Sequence, residues 1–354
     1  MNLSNKQKLI VTTKESKVVV LAAAAAGKTA VMTERIKYLF STGVDPKSIV
    51  AITFTNNAAN ELYERLGKPK GLFVGTVHAY ANYLLLSHGI ATGSLLETEN
   101  FDGLFRLVEK FPDCIKPVTH LLLDEAQDSD NLQFKFIMEM VKPKNYMLVG
   151  DYRQCIYQFN GANPNLLINL TKEPFVTTYD LNENYRNGSR ILYYAKNIIE
   201  KIGYSHRDLS IPMRGVEGVV DEFYFNYGTI FDLVSTIDNY GDWFILTRTN
   251  DELFEIKKFL ESKKIPCDTF KKAELTNSEL LEKMKENTVK VLTIHSSKGL
   301  EAKNVIVVGA RHYSDEEKRV SYVAATRARD RLYWSISPRK SMSKKNYDKI
   351  INWE

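Results

Sequence analysis

The sequence predicts an α/β protein built as two lobes, each a parallel sheet covered by helices. Three observations carry that expectation. Short apolar runs alternate with segments of helical period along most of the chain. Several of those runs end directly in small or polar residues, as strands do where ligands bind. And 354 residues with 44% hydrophobic content can bury more than one core.

The first series opens with Val18–Leu21, followed by helical spacing at Met32, Ile36, Leu39 and Phe40. Val50–Phe54 then precedes Ala58–Leu66, and further strands are expected at Phe73–Thr76, Leu121–Leu123 and Met147–Val149. A second series starts near Thr177. It has strands at Val219–Phe225, Trp243–Thr247, Val289–Ile294 and Val305–Val308, and helices at Ser189–Lys201, Leu253–Ser262 and Glu316–Arg329. The expected lobes are residues 1–174 and 175–354, with a Lys- and Ser-rich basic tail over about 338–354.

Bulk properties narrow the class. The 48 basic and 43 acidic residues leave a net charge of +5, which a polyanionic partner tolerates but does not require. Cys114, Cys155 and Cys267 are odd in number and form no CxxC pair, so neither a disulfide framework nor a zinc site is expected, and a reducing, cytoplasmic setting fits. The longest apolar run, Val18–Ala26, is too short to span a bilayer, so no membrane role is expected.

The chemistry begins after the first strand, where Ala22–Thr29 reads AAAAAGKT. It keeps the Gly-Lys-Thr end of a phosphate-binding loop but has Ala where the general pattern begins with Gly. Such a loop aims backbone N–H groups at phosphates, which makes Ala24, Ala25, Ala26, Gly27, Lys28, Thr29 and Ala30 candidate nucleotide contacts. Lys28 is expected on the outer phosphates and the Thr29 hydroxyl on Mg²⁺. Alanine costs about 1–2 kcal/mol wherever the loop needs a left-handed backbone. The bland alternative is a small-residue turn with a chance GKT.

Leu121–Leu123 runs into Asp124-Glu125-Ala126-Gln127-Asp128, which places adjacent carboxylates at the end of an apolar strand. A metal justifies that placement, with Asp124 holding Mg²⁺ through water and Glu125 deprotonating the water that attacks the γ-phosphate. A solvated acidic turn is the plain alternative.

With these residues in place, the chain resembles the UvrD/Rep-type superfamily 1 DNA helicases, in a compact form. The resemblance rests on ordered motifs: LSNKQ at Leu3–Gln7, the AAAAAGKT loop, ITFTNNAA at Ile52–Ala59, GTVHAY at Gly75–Tyr80, and DEAQD. It continues through GDYRQCIYQFNGA at Gly150–Ala162, LNENYRNGSR at Leu181–Arg190, TIHSSKGLE at Thr293–Glu301 and YVAATRA at Tyr322–Ala328.

The resemblance implies two RecA-like lobes with ATP in the cleft between them. By that pattern Gln7 reads the adenine edge, Tyr185 stacks on the base and Glu301 accepts from the ribose. Gln154 senses the γ-phosphate, and Arg186 and Arg327 act as arginine fingers. On residue type alone, Arg186 reads as a surface turn residue, and Arg327 as an exposed helix arginine paired with Glu317 or Asp330.

The single-strand path would use Phe54, Thr55, Thr76, His78, Tyr157, Phe159, His295 and Lys298, with aromatics stacking bases irrespective of sequence. Core packing is the competing reading for Phe54, and a satisfied interior histidine for His78 and for His295.

The chain departs from the family in four places. About 40 residues separate Tyr80 from Asp124, so the 1B insertion is expected to be reduced over about 82–116. About 100 residues between Arg190 and Val291 leave the 2B insertion absent or vestigial. Asn160 stands where the family commonly has Arg, and Ala302 where it often has a bulky aromatic.

The leading expectation is an Mg²⁺-dependent, DNA-stimulated ATPase that moves 3′→5′ on single-stranded DNA. Unwinding at a single-strand/duplex junction is its extension, aided by a protein partner or by self-association. Two other readings compete: an ATP-gated binding or recruitment module with weak turnover, supported by the alanine-rich loop and Asn160, and an RNA motor.

Overall fold

The computed structural model describes residues 3–200, 210–235 and 239–336. The basic tail expected over about 338–354 lies outside the described residues. Two compact units divide the chain, Met1–Glu183 and Asn184–Glu354.

The first unit is built on six parallel strands: Lys17–Ala22 (β1), Ile49–Ile52 (β2), Phe73–Gly75 (β3), His120–Leu123 (β4), Asn145–Gly150 (β5) and Thr177–Leu181 (β6). They run in the order β3-β2-β4-β5-β1-β6. Side chains alternate across a strand, so consecutive apolar residues feed two cores. Val19, Leu21, Val50, Ile52, Leu121, Leu123 and Leu148 enter one, while Val18, Val20, Ala51, Leu122, Met147 and Val149 enter the other. The near-continuous apolar runs in the sequence are the signature of a sheet covered on both faces.

Because every pair in this sheet is parallel, the strands' carboxyl ends share one edge, and the motifs sit there. Helix starts are fixed by side chains of the motifs themselves. Thr55 accepts from the Ala58 N–H at the head of Asn56–Arg65, and Thr76 does the same with Ala79 at the head of Val77–Ser87. The stretch over 82–116 holds the end of Val77–Ser87 and the helices Gly93–Glu97 and Phe101–Lys110. Leu104, Phe105 and Val108 of the last helix are buried in the first core.

The second unit carries another six-stranded parallel sheet, in the spatial order Cys267–Asp268, Val289–Thr293, Trp243–Thr247, Ala302–Val308, Ala328–Ile336 and Val219–Tyr224. Its core includes Trp243, Ile245, Val289, Val291, Ile306 and Val308.

Two expectations need correction. The boundary falls at 183/184 rather than 174/175, because Thr177–Leu181 pairs along Val18–Ala22 and closes the first sheet. The helix expected over Glu316–Arg329 ends at Ala325, and Ala328–Ile336 is a strand. Leu332, Tyr333 and Trp334 lie opposite Val305, Ile306 and Val307, and this pairing outweighs the helical look of the arginine-rich run.

Candidate active site and strand-binding residues

The phosphate-loop motif folds as the turn between β1 and the helix Lys28–Ser41. Gly27 sits at its N-cap with φ 83°, and Ala25 also adopts the left-handed region at φ 57°. The strained alanine is thus Ala25. Ala24 and Ala26 are fully buried. Gln7, buried on the first helix, donates from Nε2 to the Ala26 carbonyl at 3.1 Å and accepts the Ser4 N–H at 2.9 Å. A Cβ on Gly27 would stand 2.7 Å from Gln7 Nε2, so this glycine meets both a backbone and a space requirement.

Lys28 Nζ lies 3.4 Å from Glu125 Oε2, and Thr29 Oγ1 lies 3.5 Å from Asp124 Oδ2. Burial, with Glu125 alongside, pushes the Asp124 carboxyl up to about 7, although Lys28 opposes it. A buried carboxylate just past β4, facing a hydroxyl from the start of the phosphate-loop helix, fits Mg²⁺, which takes few protein ligands beside water and phosphate oxygens. Thr29 and Asp124 would hold the ion, and it would supply charge neutralisation of the phosphates.

Glu125 takes a left-handed backbone, φ 51°. Its Oε2 accepts from Gln127 Nε2 at 2.5 Å, and Gln127 Oε1 accepts the Asp151 N–H at 2.8 Å. Asp151 in turn accepts from Arg153 Nε at 2.6 Å and Gln154 Nε2 at 2.7 Å. Gln127, Asp151, Arg153 and Gln154 are all buried. Gln127 and Asp151 carry no role in the sequence reading, although both lie inside quoted motifs. A polar side chain two residues beyond the carboxylate expected to activate water was the available signal.

The strand-binding candidates of the first unit converge. Phe54 stacks on Tyr157 with centroids 5.1 Å apart, and Tyr157 meets Phe159 at 6.1 Å. Phe54 is 39% and Phe159 64% exposed, so core packing does not account for Phe54. Thr55 and Thr76 spend their hydroxyls on helix caps. His78 packs between Phe101 and Phe105, and burial holds its imidazole below the ordinary value against the opposing pull of Asp130 and Asp102. A cavity of about 220 Å³ is walled by Phe54, Thr76, His78, Tyr157 and Asn160 together with Asp124 and Glu125.

In the second unit, Arg186 donates from Nε to Glu301 Oε2 at 2.5 Å and from NH1 to the Thr326 carbonyl at 3.2 Å. Burial acts to raise the Glu301 carboxyl, but Arg186, with Arg329 and Arg327, holds it below the ordinary value. Arg327 is 1% exposed and donates to the Val323 and Leu300 carbonyls and to Thr326 Oγ1. It is not an exposed helix arginine: Glu317 pairs with Arg248 and Asp330 with Arg214. Tyr185 is 45% exposed. His295 and Lys298 are half-buried in the turn after Val289–Thr293, where the Lys298 carbonyl accepts from Lys272 Nζ. Among the described residues no helix is long and apolar enough to cross a membrane.

A parallel sheet with a phosphate loop after β1 and an acidic pair after β4, with β5 between these two strands, defines a P-loop nucleotide-binding unit. Family comparison makes that specific. The UvrD/REP helicase N-terminal domain matches residues 3–110 and 113–174, and the UvrD-like helicase C-terminal domain matches 268–339. The chain belongs to the UvrD/Rep family of ATP-hydrolysing DNA helicases.

Its curated relatives include a probable DNA helicase of Mycoplasma pneumoniae, 24% identical over 94% of this chain and 83% of that protein. The ATP-dependent DNA helicase PcrA of Leuconostoc citreum is 25% identical over 75% of this chain and 49% of its own length. DNA helicase II of Escherichia coli is 26% identical over 56% and 40%. Apart from the Mycoplasma pneumoniae protein, the chain spans about half or less of these relatives.

Proposed function

We propose that this protein is an Mg²⁺-dependent ATPase that single-stranded DNA stimulates and that translocates along the strand, 3′→5′ by family resemblance. Separation of duplex at a junction is proposed as the extension of that movement, through a partner or self-association, on the expectation that the 1B-type insertion is reduced and the 2B-type insertion absent or vestigial. One observation carries the reading: the carboxylates assigned to hydrolysis and the aromatics assigned to base stacking wall the same cavity in the first unit. A strand lying against Phe54 and Tyr157 would therefore border the residues that position water.

The chemistry follows from charge placement. Lys28, paired with Glu125 in this structure, is drawn to incoming phosphate oxygens, which leaves the Glu125 carboxylate able to accept a proton from water. Gln154 is proposed to sense the γ-phosphate, Arg186 and Arg327 to stabilise its developing charge, Tyr185 to stack on adenine and Glu301 to accept from the ribose. Thr55, His295 and Lys298 complete the proposed strand contacts. A gated binding module with weak turnover is the second reading, favoured by the left-handed Ala25 in the phosphate loop.

Steady-state ATP hydrolysis with Mg²⁺, with and without single-stranded DNA or RNA, tests both. The expected result is several-fold stimulation by DNA that Glu125→Gln abolishes. ATP binding with turnover at background on every strand would leave the gated module as the better account.

A further inference from the structure

We propose that Gln127 is a positioning residue that holds the Glu125 carboxylate in its working orientation and ties it to the turn carrying Gln154. The inference rests on the hydrolase reading of this site and goes beyond it.

Glu125 sits in the left-handed region just past the end of β4. In this structure Lys28 is one neighbour of its Oε2, but phosphate binding is expected to draw that ammonium away. Gln127 is a neighbour that stays. Its amide bridges two strand ends: Nε2 donates to Glu125 at the end of β4, and Oε1 accepts the Asp151 N–H just after β5. Asp151 then holds Gln154 through its other oxygen, so one continuous chain of hydrogen bonds runs from the proposed water-activating carboxylate to the proposed γ-phosphate sensor.

The bridge is built into the packing. Gln127 is fully buried, which leaves its amide no solvent to turn toward. The backbone makes room for it: a Cβ on Gly150 would lie 2.6 Å from Gln127 Oε1. Only a side chain with both a donor and an acceptor at this length serves both ends. Methionine fills the same volume with neither, and glutamate keeps the acceptor alone when ionised.

The test is a double-mutant cycle on DNA-free ATP turnover under single-turnover conditions, with Gln127→Met, Glu125→Gln and the double variant. Binding of a non-hydrolysable ATP analogue with Mg²⁺ and thermal unfolding are measured alongside. The expected result is a fall in the chemical step of about ten- to a hundredfold for Gln127→Met, the scale that loss of orientation produces. Analogue affinity stays unchanged, and the same substitution brings no further loss in the Glu125→Gln background. Equal losses in both backgrounds, or no loss in the wild-type background, overturn the proposal. Should Gln127→Met fail to fold, Gln127→Leu decides, since it too lacks the amide donor; turnover retained there also overturns it. A wild-type protein without turnover defeats the hydrolase reading itself, a different result from turnover that ignores Gln127.

Discussion

The alanine-rich phosphate loop places its conformational load on one residue, and the load has a measurable size. Ala25 occupies the left-handed region at φ 57°, whereas neither Ala24 nor Ala26 is among the residues with positive φ. An L-residue in that region is disfavoured by about 1–2 kcal/mol, which Ala25→Gly removes. Glycine also loosens the unfolded chain by about 0.4–1 kcal/mol. The net expectation is a gain of about 0.5–1 kcal/mol. At Ala24 and Ala26, both 0% exposed, the same change deletes a buried methyl worth about 0.8 kcal/mol and adds the same unfolded-state penalty, so each should lose about 1.5 kcal/mol.

Urea denaturation of the three variants without nucleotide reads these differences directly, as shifts of midpoint at constant slope. In heating, a unit of this size should move by roughly 2–4 °C per kcal/mol, upward for Ala25→Gly and downward for the other two. Destabilisation by Ala25→Gly to the same degree as by Ala26→Gly would rule out strain at Ala25. Tighter nucleotide binding without a stability change would mean instead that the loop rearranges when phosphate arrives.

Gly27→Ala should act oppositely to Ala25→Gly, because φ 83° and the Gln7 amide 2.7 Å from the new Cβ both resist it; loss of nucleotide binding together with a lower urea midpoint is the expected outcome. Phe159→Ala should weaken single-strand affinity by about 1–3 kcal/mol with folding intact, as its ring is 64% exposed; unchanged binding by fluorescence anisotropy removes it from the strand path. His78 gives a pH dependence with a definite sign. Burial lowers its folded value below the ordinary 6.5, so the neutral ring is preferred in the folded state, and stability is lost as pH falls through 6.5. His78→Phe should flatten that part of a stability–pH curve measured in urea; an unchanged slope assigns it elsewhere.

The sheets were legible in the sequence because strands buried on both faces leave apolar runs that no loop explains, such as Val18–Leu21 and Leu121–Leu123. Some strands leave weaker marks. Thr177–Leu181 alternates half-buried and exposed residues at the rim of the first sheet, and nothing in its composition says which lobe it joins. Ala328–Ile336 was hidden behind a run of arginines that reads as a helix end. At the site, residues proposed to act through their own chemistry could be picked out from position in a motif: Lys28, Thr29, Asp124 and Glu125. Residues that act by orientation could not. Gln127 and Asp151 gain meaning only once β4 and β5 lie side by side, since their hydrogen bonds join strand ends 24 residues apart in sequence.

The family resemblance casts Arg186 and Arg327 alike as arginine fingers, and their surroundings make them unequal experimental subjects. Glu301, the partner of Arg186, has a side chain 41% exposed, so Arg186→Ala frees a carboxylate that water can solvate, and the expected change in stability is below about 1 kcal/mol. Arg327 is 1% exposed and spends its guanidinium on the Val323 and Leu300 carbonyls and on Thr326 Oγ1. Truncation there takes the Arg327 donor from the Leu300 carbonyl, while the Val323 carbonyl keeps the Thr326 hydroxyl, and a buried group left unsatisfied costs about 1–3 kcal/mol, so Arg327→Ala should destabilise the second unit by about that amount. A loss of ATP turnover in Arg186→Ala therefore reports on chemistry, whereas the same loss in Arg327→Ala mixes chemistry with a loosened strand–helix junction. Urea denaturation separates the two. If Arg327→Ala unfolds at the wild-type midpoint, its carbonyl bonds are dispensable, and a kinetic effect of the variant can be assigned to the missing charge.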